Sequence, residues 1–77
     1  MKLEKLIQKF KDSPTALRYS EIKKILIALG FISRRGKGSH EIFKKEGCEI
    51  VFSLHGKDVK DGYKKMTLKK LQYFNLL

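Results

Sequence analysis

The residues of this chain best suited to chemistry lie in one run, Arg34-Arg35-Gly36-Lys37-Gly38-Ser39-His40. Three cations, two glycines, a hydroxyl and an imidazole fall within seven consecutive positions. Glycines let backbone approach a ligand closely, and exposed amides beside them receive phosphate oxygens. Arginine offers phosphate a bidentate fork, lysine a mobile point charge, and histidine exchanges a proton near neutral pH. Together these are the parts that phosphodiester cleavage in RNA requires. A base takes the 2′-hydroxyl proton, cations stabilise the developing phosphorane, and a proton reaches the leaving oxygen. On this scheme His40 is the acid/base group, and no metal or other cofactor is called for.

Competing readings of the same residues are weaker. Gly-x-x-x-x-Gly-Lys-[Ser/Thr] is absent, so the run is not a P-loop. His40 and His55 are 15 residues apart with a single cysteine in the chain, which is not zinc-ligand spacing. Glu41 follows His40 but should point to the opposite face of a strand, so the two cannot converge on one ion. Cys48 lies beside a turn with no His or basic cluster next to it and reads as a small filler. His55 falls on the same strand face as Val51 and Ser53. Neighbouring strands could bring it near His40 as a second acid/base or a substrate contact, although a strand-end histidine capping a loop is the plainer reading. Lys57, Lys60 and the pairs Lys64-Lys65 and Lys69-Lys70 could follow a phosphate backbone. Tyr19, Tyr63 and Tyr73 are expected to pack rather than stack on bases.

These groups must be positioned by the elements around them. Leu3, Leu6, Ile7 and Phe10 stand at i, i+3, i+4 and i+7, and so do Ile22, Ile25, Leu26 and Leu29. Each set describes a helix with one buried face. The first helix should end at Asp12-Ser13-Pro14. Leu17-Arg18-Tyr19 reads as an extended connector, and the second helix should start with Ser20 as its cap and stop at Gly30. From Phe31 the period changes to two. Strands are expected over 31–35, 40–45 and 49–54, with Gly36-Lys37-Gly38 and Glu46-Gly47 as turns. A polar loop over 56–62 precedes a last helix from about Asp61, with Tyr63, Met66, Leu71 and Phe74 on its buried stripe. The expected fold is α+β, a three-stranded antiparallel sheet with helices on one face and a more polar face left open.

Eighteen Lys+Arg against eight Asp+Glu give +10 on 77 residues. The excess is net +4 in residues 1–30, +3 in 31–47 and +3 in 48–77, so it belongs to the folded domain and not to a detachable tail. Such a charge suits a polyanion. With 42% apolar or aromatic residues and one proline the chain is not disordered, and it is too short for two cores. No apolar run spans a membrane, no signal-peptide core follows Met1, and one cysteine cannot form an internal disulfide. A soluble cytoplasmic protein, without membrane association, is expected.

In order along the chain, SEIKKILIALGF, RRGKGSHEIFKK and IVFSLHGKDVKDGYKKMTLKKL resemble the HicA family of toxin ribonucleases from about Tyr19 to Leu77. The pieces are a helix ending in Gly-Phe, a basic strand, a Gly-Ser-His signature, a strand ending near His and a Gly-Lys-x-Val-Lys-x-Gly loop before a final helix. The resemblance implies a fold similar to the double-stranded-RNA-binding domain. It also implies metal-independent endonucleolytic cleavage of mRNA and neutralisation by a HicB-type antitoxin. The family's essential histidine falls on His40, with Gly38 and Ser39 completing the signature. From their own chemistry Arg34, Arg35, Lys37, His55 and Lys57, with Gly38 and Ser39, are the expected RNA contacts. The free toxin is expected to be a monomer.

Two departures stand out. Residues 1–18 add an amphipathic helix to the 19–77 core, within one domain over 1–77, to cover the helix layer or meet a partner. Glu41 also stands where many members carry a second histidine, placing a negative charge near the site. The alternative in a different class is a non-catalytic RNA-binding module of the same fold. A protein–protein adaptor with a basic face is a weaker third reading.

Overall fold

The structure, a computed structural model, describes residues 2–77. Helix α1 spans Leu3–Asp12 and a 3₁₀ turn follows at Pro14–Ala16. Helix α2 spans Tyr19–Ala28, strands β1, β2 and β3 span Ile32–Arg35, His40–Lys45 and Cys48–Ser53, and α3 spans Asp61–Tyr73. The strands form an antiparallel meander in the order β1-β2-β3, covered by helices on one face, which is the α+β architecture expected. Met1 lies outside the described residues.

The register decides which side chains share a face. Ser33, Phe43 and Ile50 are opposite one another, as are Arg35, Glu41 and Phe52. With Phe43, Ile50, Phe52 and Glu41 all buried, these rows face the helices. Arg34, Ile42 and Val51 form a row on the open face, and His40 opposite Ser53 forms another. Phe52 is the centre of the core. The rings of Tyr19, Phe43 and Tyr63 surround it at centroid distances of 5.1, 5.7 and 6.4 Å. Leu6 and Phe10 bury α1 in the same core with Ile22, Ile25 and Leu26 of α2.

Turn chemistry explains how the chain reverses. Gly30 takes φ +98° at the end of α2, and the Phe31 amide reaches back to the Leu26 carbonyl at 3.0 Å. Phe31 is buried there, as its Gly-Phe position predicts. Glu46 and Gly47 both have positive φ, the two-residue turn that matches the twist of a β hairpin.

Three expectations are corrected. Helix α2 begins at Tyr19, one residue before the position of a Ser20 cap, because Arg18 is the N-cap and its amide donates to Glu21 Oε1 at 2.9 Å. Asp58 Oδ1, 39 residues away, accepts the Tyr19 amide at 3.0 Å. The buried stripe of α3 is Lys64, Thr67, Leu68 and Leu71, whereas Met66 is 55% exposed, Phe74 38% and Tyr73 82%. Two polar residues can occupy that stripe because each is satisfied. Lys64 Nζ donates to the Leu17 carbonyl at 2.7 Å and Thr67 Oγ1 to the Tyr63 carbonyl at 2.7 Å. Tyr73 therefore does not pack into the core but sits edge-on to Phe74 at 5.3 Å.

Candidate active site

His40 is the first residue of β2 and is exposed on the open face of the sheet. Its Nδ1 lies 2.8 Å from the Lys37 carbonyl. A carbonyl only accepts, so Nδ1 carries the hydrogen and the neutral ring presents the lone pair of Nε2 outward. The turn that supplies this carbonyl is held from both sides. The Gly36 amide donates to the His40 carbonyl at 3.0 Å, and the Leu54 amide donates to the Ser39 carbonyl at 3.0 Å. Gly38 takes φ +62° within it, a conformation that glycine adopts without strain.

Gly36 has a role that its reading as a turn residue missed. A Cβ there would meet His40 Cβ at 3.2 Å and Ile42 Cδ1 at 3.3 Å. Glycine thus lets β1 pass close beside the His40 side chain. No local signal marks this role, since only the register that pairs Arg35 with Glu41 puts Gly36 directly across from His40.

The cations divide between faces. Arg34 and Lys37 are exposed, Arg34 on the open face with His40 and Lys37 in the turn itself. Arg35 is not brought together with them. It pairs across the sheet with Glu41 on the helix side, where its charge acts on Glu41 and Tyr19. Ser39 is exposed in the turn, and His55 and Lys57 are exposed where the chain leaves β3. A backbone pair closes that turn, His55 N to Asp58 O at 2.8 Å and Asp58 N to His55 O at 3.3 Å.

Glu41 does not place its charge on the face of His40. It is buried on the opposite side, accepting from the Tyr19 hydroxyl and from Lys23 Nζ at 2.8 Å. Burial alone would raise its pKa. The bonds from Lys23 and Tyr19, with the charges of Lys23 and Arg35, outweigh burial and hold the carboxyl below its ordinary range. Burial, then the bond to Glu41 and its charge, push the Tyr19 phenol well up against the opposing charge of Arg35. Asp58 is likewise held low, its burial outweighed by the amides of Val59 and Tyr19 and by Lys64.

Burial raises the Cys48 thiol, against the charge of Lys70, so it stays protonated and unreactive. Among the described residues no three or more His, Cys, Asp or Glu side chains are grouped to hold a metal ion. None of the described helices is long and apolar enough to cross a membrane.

The arrangement provides an exposed imidazole, its Nδ1 bonded to the Lys37 carbonyl, flanked by cations and open backbone on a sheet face that none of the described helices covers. A family model described as the HicA toxin of bacterial toxin-antitoxin matches residues 19–73, from the first residue of α2 to the last of α3. No curated protein and no solved structure matches the chain.

Proposed function

The chain belongs to the HicA toxin family, the toxin side of bacterial toxin–antitoxin pairs, and we propose that it acts in the cytoplasm as a metal-independent endoribonuclease on mRNA, with His40 as its acid/base group. The observation that carries this reading is the bond from His40 Nδ1 to the Lys37 carbonyl, which directs Nε2 into solvent at the basic turn. Nε2 takes the proton of a 2′-hydroxyl, and the oxygen freed attacks the adjacent phosphorus. Lys37 and Arg34 supply positive charge where the phosphorane becomes more negative. Lys57 and the glycine-rich backbone at Gly38 and Ser39 hold neighbouring phosphates. Arg35 contributes from behind the sheet, through Glu41. The partner that neutralises the toxin is a HicB-type antitoxin, and the free toxin is a monomer.

The test is incubation of purified protein with a long RNA in excess EDTA. Cleavage is expected, and His40→Ala should slow it by about 10²–10⁴, the range for removal of a positioned general base. Intact RNA, or a variant as fast as wild type, overturns the proposal. Salt-sensitive binding with no cleavage would instead assign the chain to the non-catalytic RNA-binding class.

A further inference from the structure

We propose that His55 is the second proton-transfer group of this site, the imidazolium that protonates the 5′ oxygen as it leaves. The inference rests on the ribonuclease reading of His40 and adds a catalytic residue to it. An in-line displacement puts the attacking and departing oxygens on opposite sides of phosphorus. With Nδ1 of His40 committed to the Lys37 carbonyl, only Nε2 faces the substrate. One nitrogen cannot accept a proton on one side and deliver one on the other in the same step. A second group of similar chemistry completes the reaction, and imidazole is the side-chain type matched to both transfers near neutrality.

The register places such a group. His40 is opposite Ser53, and the Leu54 amide bond to the Ser39 carbonyl carries the strand pairing one step further. Leu54 packs against the core, so the alternation of β3 persists past its last ladder residue. His55 then falls on the open face, diagonal to His40. Diagonal cross-strand neighbours are about 7–8 Å apart at Cα, a separation that lets two rings bracket one phosphate. Each ring needs to approach only its own oxygen, at roughly 2.7–3.0 Å.

The position of His55 is also built, and its ring is not used in building it. Backbone bonds alone close the His55–Asp58 turn, and the Asp58 carboxylate ties that turn to the amides of Tyr19 and Val59 at 3.0 and 2.9 Å. The imidazole is exposed, and the bonds that tie His55 to the turn among the described residues are those of its backbone N–H and carbonyl to Asp58. A histidine that merely capped this loop would bond to it through the ring.

In the proposed step the O2′–P bond forms and the P–O5′ bond breaks. The 2′-hydroxyl proton goes to His40 Nε2, and the electron pair of the broken bond is taken up on O5′ with a proton from His55. The products are a 2′,3′-cyclic phosphate and a 5′-hydroxyl, and exchange with water restores both rings.

The experiment compares an oligonucleotide carrying the bond that wild type cuts with one in which the bridging 5′ oxygen is sulfur. A thiolate leaves without protonation. His55→Ala, and His55→Gln as a variant of similar size, should cut the oxygen substrate about 10²–10⁴ slower than wild type. On the sulfur substrate they should stay within about threefold of wild type, while His40→Ala remains slow on both. Equal loss on both substrates, which a binding or folding defect produces, overturns the proposal, as does wild-type speed on the oxygen substrate. If wild-type protein cuts no bond in a long RNA, so that no such substrate exists, the ribonuclease reading itself falls, and this inference with it.

Discussion

Replacing Glu41 with Gln separates what lies behind β2 from what lies in front of it. In the wild type the carboxylate accepts two bonds, from the Tyr19 hydroxyl and from Lys23 Nζ. The Glu41 side chain is 10% exposed and that of Lys23 42%. Hydrogen bonds to an ionised group contribute about 1.5–3 kcal/mol each. Gln keeps one acceptor oxygen and turns an NH₂ towards the other donor, so about one bond is lost. The half-exposed Lys23 recovers water, which discounts its share. The expected loss is about 2 kcal/mol, and at roughly 4–8 °C per kcal/mol for a domain of this size Tm should fall by about 8–16 °C.

The pH dependence of that difference has a definite sign. The folded carboxyl titrates below its ordinary value of 4.5, so the unfolded chain binds the proton more readily. The stabilisation is therefore complete above that value and is lost as pH falls through the lower folded value. Thermal unfolding followed by circular dichroism should show the full Tm gap at pH 7 and a narrowing gap below pH 4.5. RNA cleavage by the folded variant should stay within about threefold of wild type, since the His40 ring is held by Lys37 on the other face. A Tm gap unchanged at low pH would refute the ionised network. Cleavage reduced to the level of His40→Ala, with Tm intact, would refute the division of β2 into two faces.

Other substitutions probe other parts of the structure. Gly36→Ala puts a methyl 3.2 Å from His40 Cβ and displaces it by a few tenths of an ångström. Since a 1 Å misplacement can slow catalysis about 10²-fold, initial rates should fall by up to about tenfold with Tm little changed. Lys64→Met leaves the Leu17 carbonyl and Asp58 without their cation, and urea unfolding should report a loss of about 2–3 kcal/mol. Phe10→Ala empties a fully buried position and should lose about 3–5 kcal/mol in the same assay. Lys57→Gln, in a His40→Ala background so that the RNA survives, should reduce the slope of log K against log salt by about 1 in titrations. A loop lysine without a phosphate contact would leave that slope unchanged.

The elements were legible where a single local signal decides them. The boundaries of β2 follow from Gly38 before it and Glu46-Gly47 after it, and the start of α3 at Asp61 follows from the polar loop. What escaped was set by partners distant in sequence. Asp58 satisfies the first amide of α2 from 39 residues away, so a search for a local cap settles on Ser20 instead of Arg18. Periodicity correctly required one buried stripe on α3, but counting only apolar residues rotated it towards Met66 and Phe74. Lys64 and Thr67 belong to that stripe because carbonyl oxygens receive them, which composition cannot reveal. At the site, His40 and its turn were visible as residue types, and strand alternation gave the opposite orientation of Glu41. Alternation alone sends one of the two adjacent arginines to the other face, but that it is Arg35, opposite Glu41, needed the register of β1 against β2.

That register carries a consequence for how the charge of +10 is used. A strand alternates by necessity, so two adjacent arginines on β1 cannot both face one ligand. Arg35, with Lys23, compensates a carboxylate buried beneath the sheet, which leaves Arg34 on the open face with His40 and Lys37 exposed in the turn beside it. Glu41 therefore removes little of the field that an approaching phosphate meets, because its charge is already answered on its own side. The same reasoning explains why the family match can begin at Tyr19. Everything that orients His40 lies between α2 and the turn after β3, while α1 adds Leu6 and Phe10 to the core from outside that span. A partner that silences the toxin by occupying His40 must then approach the open sheet face, on the side of the domain away from α1.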